Sequence, residues 1–298
     1  MSNFSIPESE LMSSGHLACQ GCGGANAMRY ALKALGPQTV LVMPACCWSV
    51  IDGPFPHSAV TVPVFHTAFE TAGSTAAGVR AGLSMRGDDE TTVLAWAGDG
   101  GTFDIGLQAL SGAAERNDDI IFACYDNEAY MNTGIQRSSA TPAGAWTTTT
   151  PAGHTKDRPK KKILDIIAAH GVPYAATATI AWPDDLIEKF QKAKTMRGMK
   201  FIHIYAPCPT GWKSPPELTV EVSRLAVQTR LFPLLEIYDG HDYHLRRDID
   251  VRPVRDFYKT QARFAQMTDE QFDAMQRETD AHWNELVARH EESARAMA

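Results

Sequence analysis

Long apolar runs are missing from this 298-residue chain. A helix that crosses a bilayer needs roughly 18 or more consecutive apolar residues. The longest apolar stretches, Val40–Val50 and Thr92–Ala97, fall well short and read as buried strands. The start, Met1 to Leu11, lacks the charged segment and apolar stretch of a secretory leader. A soluble, cytoplasmic protein with no membrane partner is therefore expected. Basic charge is also short: 28 Lys and Arg against 35 Asp and Glu leave a net charge of −7. Nucleic-acid binders usually show the opposite balance, so no nucleic-acid partner is expected. The one basic run, Lys160-Lys161-Lys162, reads as a solvated loop or helix start. No internal repeat is present. Cysteine is sparse, at six residues: Cys19, Cys22, Cys46, Cys47, Cys124 and Cys208. A cytosol keeps thiols reduced, so a close cysteine pair reads as a metal or redox site rather than a disulfide. Apolar residues are plentiful, at 44%, enough for one large domain or one domain plus an appendage.

Short apolar strands alternate with helical patterns. Helices are predicted over Ala25–Leu35, Thr71–Leu83, Phe103–Arg116, Lys162–His170 and Trp182–Arg197. Strands are predicted over Thr39–Met43, Val60–Phe65, Thr92–Ala97, Ile120–Tyr125, Tyr174–Thr179 and Lys200–Tyr205. Near-continuous apolar strands between helices indicate an α/β fold, a doubly wound and mostly parallel sheet covered on both faces. Residues 131–159 are rich in Thr, Ser, Gly, Pro and Ala. A polar stretch that long inside a compact domain is disordered or functional, and its position after the strongest motif favours function. Residues 1–217 read as the main domain. Residues 218–298 read as a mostly helical C-terminal appendage that packs on partner subunits. It would hold a helix near Val220–Leu231, a β segment near Tyr238–Leu245 and a helix near Asp269–Met297.

That strongest motif is Gly98-Asp99-Gly100-Gly101 at the end of an apolar strand, followed by a helix, a second strand and Asp126-Asn127 about 28 residues on. Alone, Gly-Asp-Gly is a turn. The combination supplies what a Mg²⁺-bound diphosphate needs. Asp99 offers a carboxylate oxygen, Asn127 an amide oxygen and Ala129 a backbone carbonyl, all hard ligands. The glycines allow close backbone approach, and the following helix start favours negative charge. The constellation resembles the thiamine-diphosphate fingerprint of transketolases, decarboxylases and oxoacid oxidoreductases.

Cys19-Gln20-Gly21-Cys22-Gly23 sets two thiols on one tight loop. On its own such a loop favours zinc over a redox disulfide or an iron–sulfur cluster. Cys46-Cys47 and Cys208 follow strands, however, and strand ends on one sheet edge can converge. Cys-x-x-Cys-Gly, a third cysteine about 25 residues on, the Gly-Asp-Gly…Asn motif, Tyr130-Met131-Asn132-Thr133-Gly134 and the late Cys208 occur in one order. Together they resemble the thiamine-diphosphate subunit of the pyruvate:ferredoxin oxidoreductase family over about residues 15–235. Ile135-Gln136-Arg137-Ser138-Ser139 and Thr148–Gly153 look like its pyruvate branch.

The resemblance implies one [4Fe–4S] cluster on Cys19, Cys22, Cys47 and Cys208, with Cys46 and Cys124 as small buried residues. It implies thiamine diphosphate and Mg²⁺ at Gly98–Gly101, Asp99, Asn127 and Ala129. Asn132 would contact cofactor or substrate near the reacting carbon, against a bland reading as a turn residue. Thr133 and Arg137 are softer candidates. His66 and Glu70 resemble a segment flanking the cofactor; a core histidine and a helix-start charge are the plain alternatives. Gly24 stands where single-chain relatives often carry an acidic cofactor contact and offers only backbone.

The implied activity is CoA-dependent oxidative decarboxylation of pyruvate, with electrons leaving through the cluster to ferredoxin. Branched-chain or aryl 2-oxoacids, such as 2-oxoisovalerate or phenylglyoxylate, are alternative substrates. A non-redox thiamine lyase subunit with structural zinc is an alternative enzyme, and a non-catalytic binding subunit is an alternative of another class. One sheet pattern and one Gly-Asp-Gly leave the pyrimidine-binding half to another chain. No dense Cys-x₂-Cys-x₂-Cys run is present, so relay clusters would also lie elsewhere. The expected partners are a pyrimidine-domain (alpha) subunit, a gamma subunit, a ferredoxin-like (delta) subunit and soluble ferredoxin.

Overall fold

The computed structural model describes residues 6–296. In chain order its main helices and strands are α1 (Gly23–Leu35), β1 (Thr39–Pro44), α2 (Trp48–Ile51), β2 (Val64–Thr67), α3 (Ala72–Met85) and β3 (Thr92–Gly98), then α4 (Leu107–Glu115), β4 (Ile121–Asp126), α5 (Ile163–Ala168), β5 (Tyr174–Thr179), α6 (Pro183–Thr195) and β6 (Lys200–Tyr205). The C-terminal part adds α7 (Pro209–Trp212), α8 (Thr219–Gln228), β7 (Leu235–Tyr238), β8 (Asp242–Leu245), α9 (Val254–Tyr258) and α10 (Asp269–Ala296).

Among the described residues, eight strands form one sheet in the order β2-β1-β3-β4-β6-β5-β7-β8. The first six run parallel, and β7 and β8 add antiparallel. β3, β4, β5 and β6 are buried almost end to end, which explains their mostly apolar sequences. One face packs on α1, α2 and α6 through Met28, Leu32, Trp48, Trp96, Tyr125 and Phe190. The other packs on α3, α4, α5 and α10 through Phe103, Leu110, Phe122, Ile167, Phe201 and Trp283. Pro183 opens α6, with Asp184 and Asp185 in its first turn and Lys192 and Lys194 in its last. Each sits at the helix end that the backbone dipole favours. The doubly wound α/β fold predicted above is the fold observed.

The chain leaves β1 for β2 on one side and returns as β3 on the other, so the winding reverses between β1 and β3. Ligands of open α/β sheets bind beyond the strands' carboxyl ends at such a reversal. Ala45–Cys47, Gly98–Gly101, Asp126–Ala129 and Ala206–Cys208 all follow carboxyl ends on this one edge.

Several local expectations are corrected. The second strand begins at Val64, not Val60. Pro63 has no N–H to give a ladder, so the strand starts after it, and Val60 makes only an isolated antiparallel bridge to Met12. The helix expected from Phe103 begins at Leu107, because Gly100–Asp104 forms a π-type turn. A Cβ on Gly106 would strike the Gly101 carbonyl oxygen, so the chain is pinched there. Lys160 is not simply solvated: its ammonium is 2.5 Å from Asp126 and 3.0 Å from Glu128. Residues 131–159 are ordered by their own hydroxyls, as when Thr148 donates to the Gly134 and Ile135 carbonyls. The single β segment expected near Tyr238–Leu245 is a hairpin, β7–β8, turning at Asp239 and Gly240, both at positive φ. No helix among the described residues is long and apolar enough to cross a membrane.

Candidate functional site

Asp99 follows β3 and Asn127 follows β4, one strand over in the sheet. The outer atom of the Asn127 amide lies 3.0 Å from Asp99 Oδ1 and 3.0 Å from the Ala129 carbonyl oxygen. With the amide nitrogen there, Asn127 donates to both. With the oxygen there, three hard oxygens stand about 3.0 Å apart along two edges. That is the edge of an octahedron with Mg–O bonds of roughly 2.1 Å. The oxygen is the atom that stands there in the structure, so the donor set fits Mg²⁺ without rearrangement. Asp99 is almost wholly buried, and Ser138 Oγ donates to its Oδ2 at 2.5 Å. Burial, with the negative charge of Asp126 nearby, pushes the Asp99 carboxyl well above the usual carboxylate range; Ser138 and Lys160 oppose this. A bound dication would reverse that balance.

The glycines give this corner its shape. A side chain on Gly100 would collide with the Tyr130 ring. Tyr130 in turn donates to Asp104 at 2.9 Å, which ties the loop after β4 to the turn after β3. Between these loops lies a cleft of about 130 Å³. Asp99, Asn127, Ala129, Cys46 and Cys47 line it together with the exposed Asn132 and Thr133; Phe69, Met131 and Ala45 supply apolar lining. Thr133 is exposed and its hydroxyl donates to Gln136 at 2.6 Å. Gly98, Gly100 and Gly101 also border the cleft.

Three predicted cofactor residues are absent from that lining. His66 is half exposed, with Nε2 3.3 Å from Asp52 Oδ2. Glu70 is exposed at the approach to α3. Gly24 lies under Tyr125, where a Cβ would come within 3.2 Å of the ring. Arg137 is exposed and its backbone N–H donates to Thr149.

Cys47 links the cleft to the other thiols. Burial pushes its thiol up, and the nearby Cys46, Cys208, Cys22 and Asp99 add to this. Burial likewise pushes Cys208 up to about 11, with Cys22 and Cys19 adding. Burial raises Cys22 too, with Cys19 beside it, while the Ala25 and Gly24 N–H groups pull it down. The Gly211 N–H donates to Cys208 Sγ at 3.4 Å. Cys47 thus lies near Cys22 and Cys208, and Cys19 near Cys22 and Cys208, with backbone N–H groups facing Cys22 and Cys208. Cys19 and Cys22 also line a second, outer cleft with Glu10, His16 and Arg29. Cys46 turns instead toward the Tyr125 hydroxyl and the Gly98 N–H. Cys124 is fully buried. Among the described residues, no three Cys, His, Asp or Glu side chains are close enough to share a single metal ion.

A buried charge network beneath the loop after β4 was not foreseen. Asp126 accepts from His203 Nε2 at 2.7 Å and from the Glu128 N–H at 2.9 Å, and pairs with Lys160. Burial raises its carboxyl, but Lys160 and His203 more than offset this and hold it low. Glu128 also pairs with Arg263 at 2.5 Å. The Trp212 indole N–H donates to the Asn127 carbonyl at 2.7 Å. Nothing in the spacing of the chain marks Arg263, 135 residues beyond Glu128; Asp126, Lys160 and Ser138 lay inside segments already singled out.

A family model described as "Thiamine pyrophosphate enzyme, C-terminal TPP binding domain" matches residues 48–204. The ketoisovalerate oxidoreductase subunit VorB of Pyrococcus furiosus is 50% identical over 292 residues, covering 94% of each chain. The pyruvate synthase subunit PorB of Methanothermobacter thermautotrophicus is 50% identical over 284 residues, covering 94% of this chain and 99% of the relative. Among solved structures, the 2-oxoglutarate:ferredoxin oxidoreductase of Magnetococcus marinus shares the fold at TM-score 0.59 and 23% identity, covering 75% of this chain and 81% of that one. With the Gly-Asp-Gly…Asn site at the sheet's reversal point and relatives aligned from end to end, the chain belongs to the thiamine-diphosphate-binding subunits of the 2-oxoacid:ferredoxin oxidoreductases.

Proposed function

We propose that this chain anchors Mg²⁺ and thiamine diphosphate at Asp99, Asn127 and Ala129, and holds a [4Fe–4S] cluster on Cys19, Cys22, Cys47 and Cys208. It does so within a cytoplasmic hetero-oligomer that converts a short aliphatic 2-oxoacid and coenzyme A to acyl-CoA and CO₂ and passes the electrons to ferredoxin. One observation carries the reading: the 3.0 Å spacing of Asn127 from both Asp99 Oδ1 and the Ala129 carbonyl, in a cleft that Cys47 also lines. When bound, the thiamine supplies the nucleophile and electron sink for decarboxylation, and the cluster supplies a one-electron acceptor.

The chain's own residues then have defined tasks. Asp99 and Asn127 orient the diphosphate through the metal, and Ser138 fixes the Asp99 carboxylate. Gly100 lets the backbone approach the phosphates. Asn132 and Thr133 present polar groups to substrate. Ala45, Phe69 and Met131 offer an apolar wall suited to an alkyl side chain. Pyruvate is the leading substrate, with 2-oxoisovalerate beside it, the two acids that match the names of relatives at equal identity. Among the described residues no three metal-ligating side chains are close enough to share one ion, which speaks against zinc, whose bonds of about 2.3 Å draw four sulfurs tightly together. The pyrimidine-binding half, the gamma chain and the ferredoxin-like delta chain are supplied by partners.

The test uses the complex purified without oxygen and freed of thiamine. Adding Mg²⁺ and thiamine diphosphate should restore dye reduction by pyruvate or 2-oxoisovalerate in the presence of coenzyme A. Asp99→Asn should not regain it. Full recovery by that variant, or turnover without thiamine, would reject the reading.

A further inference from the structure

Glu128 lies between two of the three proposed metal ligands and adopts a left-handed backbone at φ 67°. A non-glycine residue there carries strain and persists where its surroundings impose it. Its torsions aim the Ala129 carbonyl, so whatever holds Glu128 holds the ligand. The Glu128 carboxylate is buried and paired twice, to Arg263 at 2.5 Å and to Lys160 at 3.0 Å. The Glu128 carbonyl accepts from Thr141 Oγ1 at 2.6 Å.

Arg263 comes from the C-terminal part of the chain and is only 3% exposed. Its Nε donates to Gln261 at 2.9 Å, and its guanidinium lies 4.1 Å from the centre of the Trp212 ring. Trp212 donates to the Asn127 carbonyl, so the same stack also fixes the ligand preceding Glu128. One guanidinium therefore steadies Asn127 through Trp212 and Ala129 through Glu128.

Resting on the function proposed above, we infer that Arg263 is a positioning residue: with Glu128 it locks the Asn127–Ala129 loop in its ligand-presenting form. The C-terminal part thereby contributes directly to the cofactor site. Outer-sphere contacts to metal ligands are commonly worth roughly 10- to 100-fold in metal affinity, which sets the size of the expected effect.

The experiment titrates the intact, thiamine-free complex with Mg²⁺ and thiamine diphosphate and follows intrinsic tryptophan fluorescence. Iron content and the kcat at saturating cofactor are recorded alongside. Arg263→Gln should raise the dissociation constant by roughly tenfold or more, with kcat at saturation and iron content little changed. Arg263→Lys, which keeps the charge but not the planar stack on Trp212, should fall between the two. Glu128→Gln with Arg263→Gln, which leaves no buried charge unpaired, should assemble and still bind weakly. Binding within about twofold of the unaltered complex in both the Gln variant and the double variant would overturn the inference. Loss of kcat and iron without a change in cofactor affinity would overturn it as well. Absence of Mg²⁺-dependent binding in the unaltered complex would instead fail the function reading beneath it, and the inference with it.

Discussion

At the scale of residues, the site turns on how a buried carboxylate is kept ready for a cation. Asp99 has lost its water, faces Asp126 and is served by one short bond from Ser138. A hydrogen bond to a charged group contributes about 1.5–3 kcal/mol, so Ser138→Ala should weaken Mg²⁺-thiamine diphosphate binding roughly tenfold or more, read by the same fluorescence titration. Unchanged affinity would mean that the Ser138 bond plays no part in holding the metal. The two adjacent cysteines should behave oppositely. Cys47 senses Cys22 and Cys208, whereas Cys46 is turned to Tyr125. Cys47→Ser should therefore lower iron and acid-labile sulfide by about four each per chain, and Cys46→Ser should not. Equal losses would undo the ligand assignment. Asp99 and Asn127 were legible in the sequence because strand, glycine turn and helix announce them within about 30 residues. Glu128–Arg263 was not, since a contact across 135 residues has no periodicity to read.

At the scale of elements, the parallel strands were legible because a sheet covered on both faces makes them mostly apolar. The places where reading failed each have a steric cause. Pro63 delays β2, and the pinch between Gly101 and Gly106 replaces the expected first turns of α4 with a π-type turn. A Cβ on Gly106 would strike the Gly101 carbonyl, and overpacking of this kind costs about 1–3 kcal/mol. Gly106→Ala should thus lower the thermal midpoint of the complex by several degrees and impair thiamine diphosphate retention; a midpoint unchanged within a degree would show that the turn can widen freely. The polar stretch 131–159 looked unstructured by composition, but its Thr and Ser hydroxyls cap and bridge its own backbone. Pattern reading cannot weigh such local bonds against a helix or strand.

At the scale of the whole molecule, parallel topology gathers the sequence-distant loops. Because β1, β3, β4 and β6 all point one way, residues 45–47, 98–101, 126–129 and 206–208 meet at one edge. Order along the chain made this expectation possible; only the strand order β1-β3-β4-β6 makes it geometry. The part beyond residue 217 could not be read this way. Its β7 and β8 continue the same sheet, and its Arg263 pairs with Glu128 in the loop after β4. On the proposed function, the thiamine site and the thiol group act as one unit. The direct measurement is the visible absorbance of the anaerobic complex, loaded with Mg²⁺ and thiamine diphosphate, as 2-oxoacid is added without an external acceptor. Loss of cluster absorbance is expected in the unaltered complex and none in Asp99→Asn with its iron content intact. Equal bleaching in that variant, or none in the loaded unaltered complex, would contradict that function.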